Sequence, residues 1–113
     1  MRSARLSCDG RSLPLQVLVC EGVLERARGL LGRSPLGAHG VLWIAPCCAI
    51  HTFGLRQPID VVFCDRTGRV LTPAATIARR RFAWTWRARI ALESQAGTLV
   101  RLGLAPGQAL HVR

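Results

Sequence analysis

The stretch PIDVVFCDRTGRV, Pro58 to Val70, reads as a short buried strand over Ile59–Cys64, opened just after a proline and closed by the turn Asp65–Gly68. RVLTP beyond the turn is then the returning half of a hairpin. One residue does not suit an apolar strand. Asp60 lies between Ile59 and Val61, and pleat parity puts it on the face of Val62 and Cys64. A carboxylate there costs on the order of several kcal/mol unless it is paired or accepts hydrogen bonds.

Upstream, VLWIA at Val41–Ala45 is a second buried strand, stopped by Pro46, and LPLQVLVC at Leu13–Cys20 is a third. The third alternates Leu13, Leu15, Val17 and Val19 against a mixed second face, as a strand partly buried on both sides would. In EGVLERARGLL the period becomes helical. Val23, Leu24, Ala27, Leu30 and Leu31 take one side, and Glu21, Glu25, Arg26 and Arg28 the other. Gly29 costs such a helix about 1 kcal/mol relative to alanine, which predicts a close approach to the neighbouring sheet. GRSPLGAHG then reads as a loop.

Downstream, the apolar residues alternate strictly from Arg81 to Glu93, which predicts one half-buried strand or hairpin. Phe82, Trp84, Trp86, Ala88, Ile90 and Leu92 would face inward, with Arg81, Arg87 and Arg89 in solvent. SQAGTLVRLGL reads as a short helix with Ala96, Leu99, Val100 and Leu102 inward and Ser94 as its N-cap. QALHVR reads as a terminal strand. The pattern predicts an α+β, mainly β domain over residues 1–113: a small closed or barrel-like antiparallel sheet with two short helices.

The net charge of +10 comes from 16 arginines and no lysine against six acids. Such a balance raises nucleic acid or an anionic surface as a partner, although a GC-rich coding bias would also replace lysine by arginine. No uncharged apolar run approaches the roughly 20 residues of a membrane-spanning helix, and no leader pattern opens the chain; it reads as unexported and cytoplasmic. Five cysteines cannot all pair within one chain, so reduced thiols are expected, with Cys20 and Cys64 as small core residues.

The motif order RGLLGR (Arg28–Arg33), GVLWI (Gly40–Ile44), HTFGLRQPIDVVFCDRTGRV (His51–Val70) and ALESQAGTLVRLGLAPGQAL (Ala91–Leu110) resembles the bacterial and archaeal domain of unknown function 192, over about residues 17–112. The resemblance implies a compact, mainly β domain and carries no established activity. Gly29, Leu30, Arg33, Pro58, Asp60, Gly68, Leu92, Glu93, Gly97 and Gly107 fall on the family's recurring positions. Many relatives have Trp-Met-Lys-Asn-Thr where His51–Leu55 stands here.

For function, the first reading is a non-enzymatic module with a polar recess formed by Arg33, His51, Arg56 and Asp60, for a small ligand or a protein partner. Asp60 would either anchor loop amides or an arginine fork, or line the mouth of that recess. The second is a hydrolase with Cys48 as nucleophile, His51 as base and Asp60 orienting it. The third is an arginine-driven binder of nucleic acid or an anionic surface, through ARRRFAWTWRAR at Ala78–Arg89. Cys47, Cys48 and His51 lack a second ligand pair at zinc spacing, and no metal or cofactor is expected.

Overall fold

The structure is a computed structural model that describes residues 1–29 and 37–113. Leu30, Leu31, Arg33 and most of the expected loop GRSPLGAHG lie outside the described residues.

Among the described residues nine strands form: β1 (Arg2–Cys8), β2 (Arg11–Cys20), β3 (Gly40–Ile44), β4 (Ala49–His51), β5 (Ile59–Cys64), β6 (Ala75–Ile77), β7 (Phe82–Trp84), β8 (Ile90–Gln95) and β9 (Leu110–Val112). Seven of them make one sheet in the order β6-β5-β8-β3-β2-β1-β9, while β4 and β7 pair separately. The buried strands expected at Leu13–Cys20, Val41–Ala45 and Ile59–Cys64 are there as β2, β3 and β5, with bounds shifted by a residue or two. β5 and β8 are apolar because the sheet is covered on both faces. One face carries Val17, Val19, Val41, Trp43, Val62, Cys64, Leu92, Leu99 and Leu110. The other carries Ile50, Ile59, Val61, Phe63, Ala88 and Ala91, continued by Cys20, Leu42 and Ile44. Leu42, Leu92 and Leu99 are fully buried, each contributing about 1.5–3 kcal/mol.

Several expectations are corrected. The sheet is open: Gly68 to Val70 run across toward β9 after the turn, so Cys64↔Val70 and Arg69↔Ala109 are isolated bridges. β5 instead takes β6 as its hairpin-side neighbour, with Asp60 opposite Thr76. β2 and β3 pair parallel, because the 19 residues between Cys20 and Gly40 supply the long crossover a parallel pair requires. Among the described residues the two helices reduce to one six-residue helix, α1 (Val23–Arg28), and a 3-10 turn at Val100–Leu102.

In α1 the expected faces do not hold. Leu24 is exposed, whereas Glu25 is drawn in to accept from the Gly22 amide at 3.0 Å and to pair with the N-terminal amine at 2.6 Å. Ala96 and Val100 also face solvent, while Leu99, just before that turn, is buried and Leu102 packs partly buried against the core. Gly29 does lie close to the sheet: a Cβ there would sit 2.5 Å from Glu93 Oε1.

β1 was not anticipated. Its outward Arg2, Ser3 and Arg5 mask the buried Ala4 and Leu6. The Asp9-Gly10 pair that closes the β1–β2 hairpin is a standard two-residue turn signal.

Candidate functional site

β4, β7 and their flanks form an arm laid against the second face of the sheet. Ala49, Ile50 and His51 stand opposite Trp84, Ala83 and Phe82, and Thr85 extends the ladder by donating to the Cys48 carbonyl at 3.0 Å. Ile50 and Ala83 point to the sheet and pack with Ile59, Val61 and Phe63. Thr52, fully buried, staples the far end. Its hydroxyl donates to the Ala78 carbonyl at 2.7 Å and accepts from the Arg81 amide at 2.9 Å, and its amide donates to the Arg81 carbonyl at 2.9 Å.

Because strand side chains alternate, an arm that buries Ile50 and Ala83 must turn His51, Phe82 and Trp84 outward. Phe82 is 73% exposed, Trp84 70%, Trp86 75% and Phe53 44%. The inward orientation expected of Phe82, Trp84 and Trp86 is therefore overturned. Trp86 lies in the turn Thr85–Ala88, where the Ala88 amide donates to the Thr85 carbonyl at 2.9 Å. Parity does not carry through a turn, so the buried Ile90 and Leu92 beyond it say nothing about the residues before it.

The exposed rings are organised. Phe53 and Phe82 lie 5.1 Å apart between centroids, with His51 at 6.2 Å from the first and 6.4 Å from the second. The Arg87 guanidinium lies over the Trp86 ring at 5.8 Å. Four aromatic side chains exposed to this degree together present roughly 400–650 Å², a sum comparable with the roughly 300–600 Å² of the largest apolar patch on a typical monomer.

The charge around them has one sign. Residues 26–59 and 66–92 contain no acid, while the arm carries Arg56, Arg79, Arg80, Arg81, Arg87 and Arg89, all exposed. Arg79 donates to the Leu55 carbonyl at 3.1 Å, Arg81 to the Arg80 carbonyl at 3.1 Å and Arg89 to the Ala88 carbonyl at 2.7 Å. Among the described residues the side chains of Arg56, Arg80 and Arg87 hold no hydrogen bond or ion pair.

The acids are occupied elsewhere. Asp65 closes its turn by accepting from Thr67 Oγ1 at 2.6 Å and from the amides of Thr67 and Arg69, and the Thr67 hydroxyl foremost holds its carboxyl below the usual range. Glu21 pairs with Arg2 at 3.1 Å. Asp60 is fully buried: Oδ1 accepts from Thr76 Oγ1 at 2.6 Å, and Oδ2 from the amides of Gly97 at 2.8 Å and Val100 at 3.0 Å.

Asp60 shares its face of β5 with Val62, while Ile50 of the arm packs on the opposite face beside Ile59, Val61 and Phe63. His51 and Arg56 thus belong to the arm, Asp60 lies behind the sheet from them, and Arg33 is outside the described residues. Sequence reasoning did not place Glu93, which is buried beside Gly29. The signal was its place between Leu92 and Ser94 in an apolar strand.

The same geometry separates the hydrolase residues. Cys48 is exposed just before β4, whose extended chain advances about 3.3 Å per residue toward His51. A concavity of about 520 Å³ runs along β1 and β2, past Arg5, Gln16, His39 and Arg113, and is lined by none of Cys48, His51 or Asp60. Among the described residues no three His, Cys, Asp or Glu gather as metal ligands, and no helix is long and apolar enough to cross a membrane. Burial pushes the Cys64 thiol up to about 12 and raises those of Cys8 and Cys47.

A thiol reagent such as 5,5′-dithiobis(2-nitrobenzoate) is therefore expected to modify Cys48 first at neutral pH, with Cys20 and Cys64 reacting only after unfolding. The fast phase should vanish in Cys48→Ser. A Cys48 rate more than about tenfold above that of a free thiol would instead restore an activated nucleophile.

The family model described as an uncharacterised conserved group, the domain of unknown function 192, matches residues 4–112. The chain belongs to that family. No curated protein matches it. Among solved structures, a proposed transcription regulator from Sinorhizobium meliloti 1021 superposes with a TM-score of 0.83 at 20% identity, over 98% of this chain and 94% of that one. A protein of unknown function from Novosphingobium aromaticivorans DSM 12444 gives 0.78 at 20% identity, over 96% and 83%. At that identity the likeness is one of fold. The family match reaches into β1, further than the resemblance over residues 17–112 implied.

Proposed function

We propose that this member of the family is a non-enzymatic binding module whose working face is the arm of β4 and β7. His51 and Arg56 touch what it binds, and Asp60 holds the scaffold from the other side of the sheet. One observation carries the reading: four exposed aromatic rings share an acid-free surface with six arginines. Isolated exposed apolar residues are ordinary, but an organised cluster of this size is a mark of interaction surfaces. Arg33 stays in the proposal on its family position, to be tested by Arg33→Ala. The neighbour described as a proposed regulator is compatible with a protein that acts by binding.

The test uses 8-anilinonaphthalene-1-sulfonate, an aromatic anion that reports exposed apolar surface. Native protein should bind it with a blue-shifted emission, and the double variant Phe82→Ser, Trp84→Ser should lose most of that signal. Both sites are exposed, so the variant should melt within a few degrees of wild type. Equal dye binding by wild type and variant would remove the arm as the binding face.

A further inference from the structure

We infer that the arm binds single-stranded nucleic acid, its bases stacking on Trp84, Trp86 and Phe82 and its phosphates meeting Arg56, Arg80 and Arg87. This rests on the reading of the arm as the binding face. An exposed aromatic patch alone would leave the occupant open; the charge around it does not. Every described acid lies outside the arm, six exposed arginines share the arm's segments with the rings, and one of them, Arg87, lies over Trp86. The complementary ligand is an anion with flat, apolar faces, repeated.

Spacing points the same way. Phe82 and Trp84 are two residues apart on one outward strand face, so their attachment points are about 6.6 Å apart. That separation lets successive splayed bases reach different rings. Among the described residues Arg56 and Arg80 hold no other partner and Arg87 makes only its contact with the Trp86 ring, so the N–H groups of all three are available to successive phosphates, each releasing counterions as it binds. A duplex would leave the rings idle, because its base faces are already stacked on one another.

An anionic bilayer is the competing surface, since aromatic and basic residues also settle at lipid interfaces. Trp86 argues against it. Its ring already bears the Arg87 guanidinium at 5.8 Å, so sinking the indole into acyl chains would draw a charge in with it. A base stacked on the opposite face of the ring meets no such obstacle and completes a guanidinium–indole–base sandwich.

The experiment titrates the full chain into fluorescein-labelled 12-nucleotide single strands, RNA and DNA, with the corresponding DNA duplex and phosphatidylserine-containing vesicles as comparators. Single strands should bind at least about tenfold tighter than the duplex. Trp84→Ser and Trp86→Ser should each weaken binding roughly tenfold or more while melting like wild type. With three phosphate contacts, raising salt from 50 to 200 mM should cost roughly 20-fold. Arg11→Ala, an equal charge change remote from the arm in sequence and strand pairing, should cost far less than Arg87→Ala.

Binding of vesicles without single strands would overturn the inference in favour of a lipid surface. Loss of affinity spread evenly over all arginines, with the tryptophan variants neutral, would overturn it in favour of bulk charge. If the sulfonate dye binds at the arm while oligonucleotides do not, the ligand is wrong and the binding face stands. If the dye also ignores the arm, both fall.

Discussion

Asp60→Ala is expected to lower stability by about 3–5 kcal/mol, a fall in melting temperature of roughly 12–25 °C for a domain of this size. The carboxylate is the shared acceptor of three donors from two segments distant in sequence. Thr76 donates from β6, and the amides of Gly97 and Val100 donate from the turn after β8. Alanine leaves both amides without their acceptor at a partly buried site, and unsatisfied groups there carry much of their desolvation cost.

Asp60→Asn should cost much less. Its single amide oxygen can serve Gly97 and Val100, and its amino group can donate to the Thr76 hydroxyl, so that chiefly the charge assistance is lost. Thermal melts of the two variants check this. An alanine variant within about 5 °C of wild type, or an asparagine variant equally damaged, would show that the buried carboxylate is not the anchor described here.

Gly68→Ala is expected to be of similar severity, about 3 kcal/mol or more. Gly68 has φ +92°, and a Cβ there would run into the Leu110 backbone carbonyl. A carbonyl in that position cannot yield cheaply, because the Leu110 amide donates to the Gly68 carbonyl at 2.8 Å. Moving one partner breaks the contact between the Asp65–Gly68 turn and β9. Gly103→Ala is the control. Its φ is also positive, at +64°, but nothing lies within 4 Å of the added Cβ, so only the local conformational cost of about 1–2 kcal/mol should appear. Equal melting temperatures for the two variants would show that the close approach at Gly68 contributes nothing.

The sequence was most legible where punctuation and composition agree. Pro46 and Pro58 bracket the segment between β3 and β5, and the apolar runs VLWIA and IDVVFC could only be buried strands. Parity also placed Asp60 correctly on the face of Val62. Its partners were illegible, because they come from residues 16, 37 and 40 positions away, a matter of tertiary closure that no local pattern encodes.

The orientation of the arm was misread for a specific reason. Alternation from Arg81 to Glu93 looked continuous, but Thr85–Ala88 is a turn, so the register on one side does not determine the other. The aromatics then follow Ala83 and Ile50, the small and branched residues that do face the sheet. His51 could be named as a site residue from its type alone; that its neighbours are Phe53 and Phe82, and not Asp60, required the pairing of β4 with β7.

The arm divides its labour residue by residue. Ile50, Thr52 and Ala83 answer to the fold, one facing the hydrophobic layer, one stapling the backbone and one closing the pair. His51, Phe82 and Trp84, interleaved with them, answer only to what arrives from solvent. On the proposed reading of the arm as a binding face, its outer positions can change across a lineage without unfolding their bearer, since a change there leaves the inner ones untouched. A chain carrying Trp-Met-Lys-Asn-Thr in place of His51–Leu55 changes the inner position 52 together with the outer ones, so such a relative has to hold the far end of its arm by something other than the Thr52 hydroxyl.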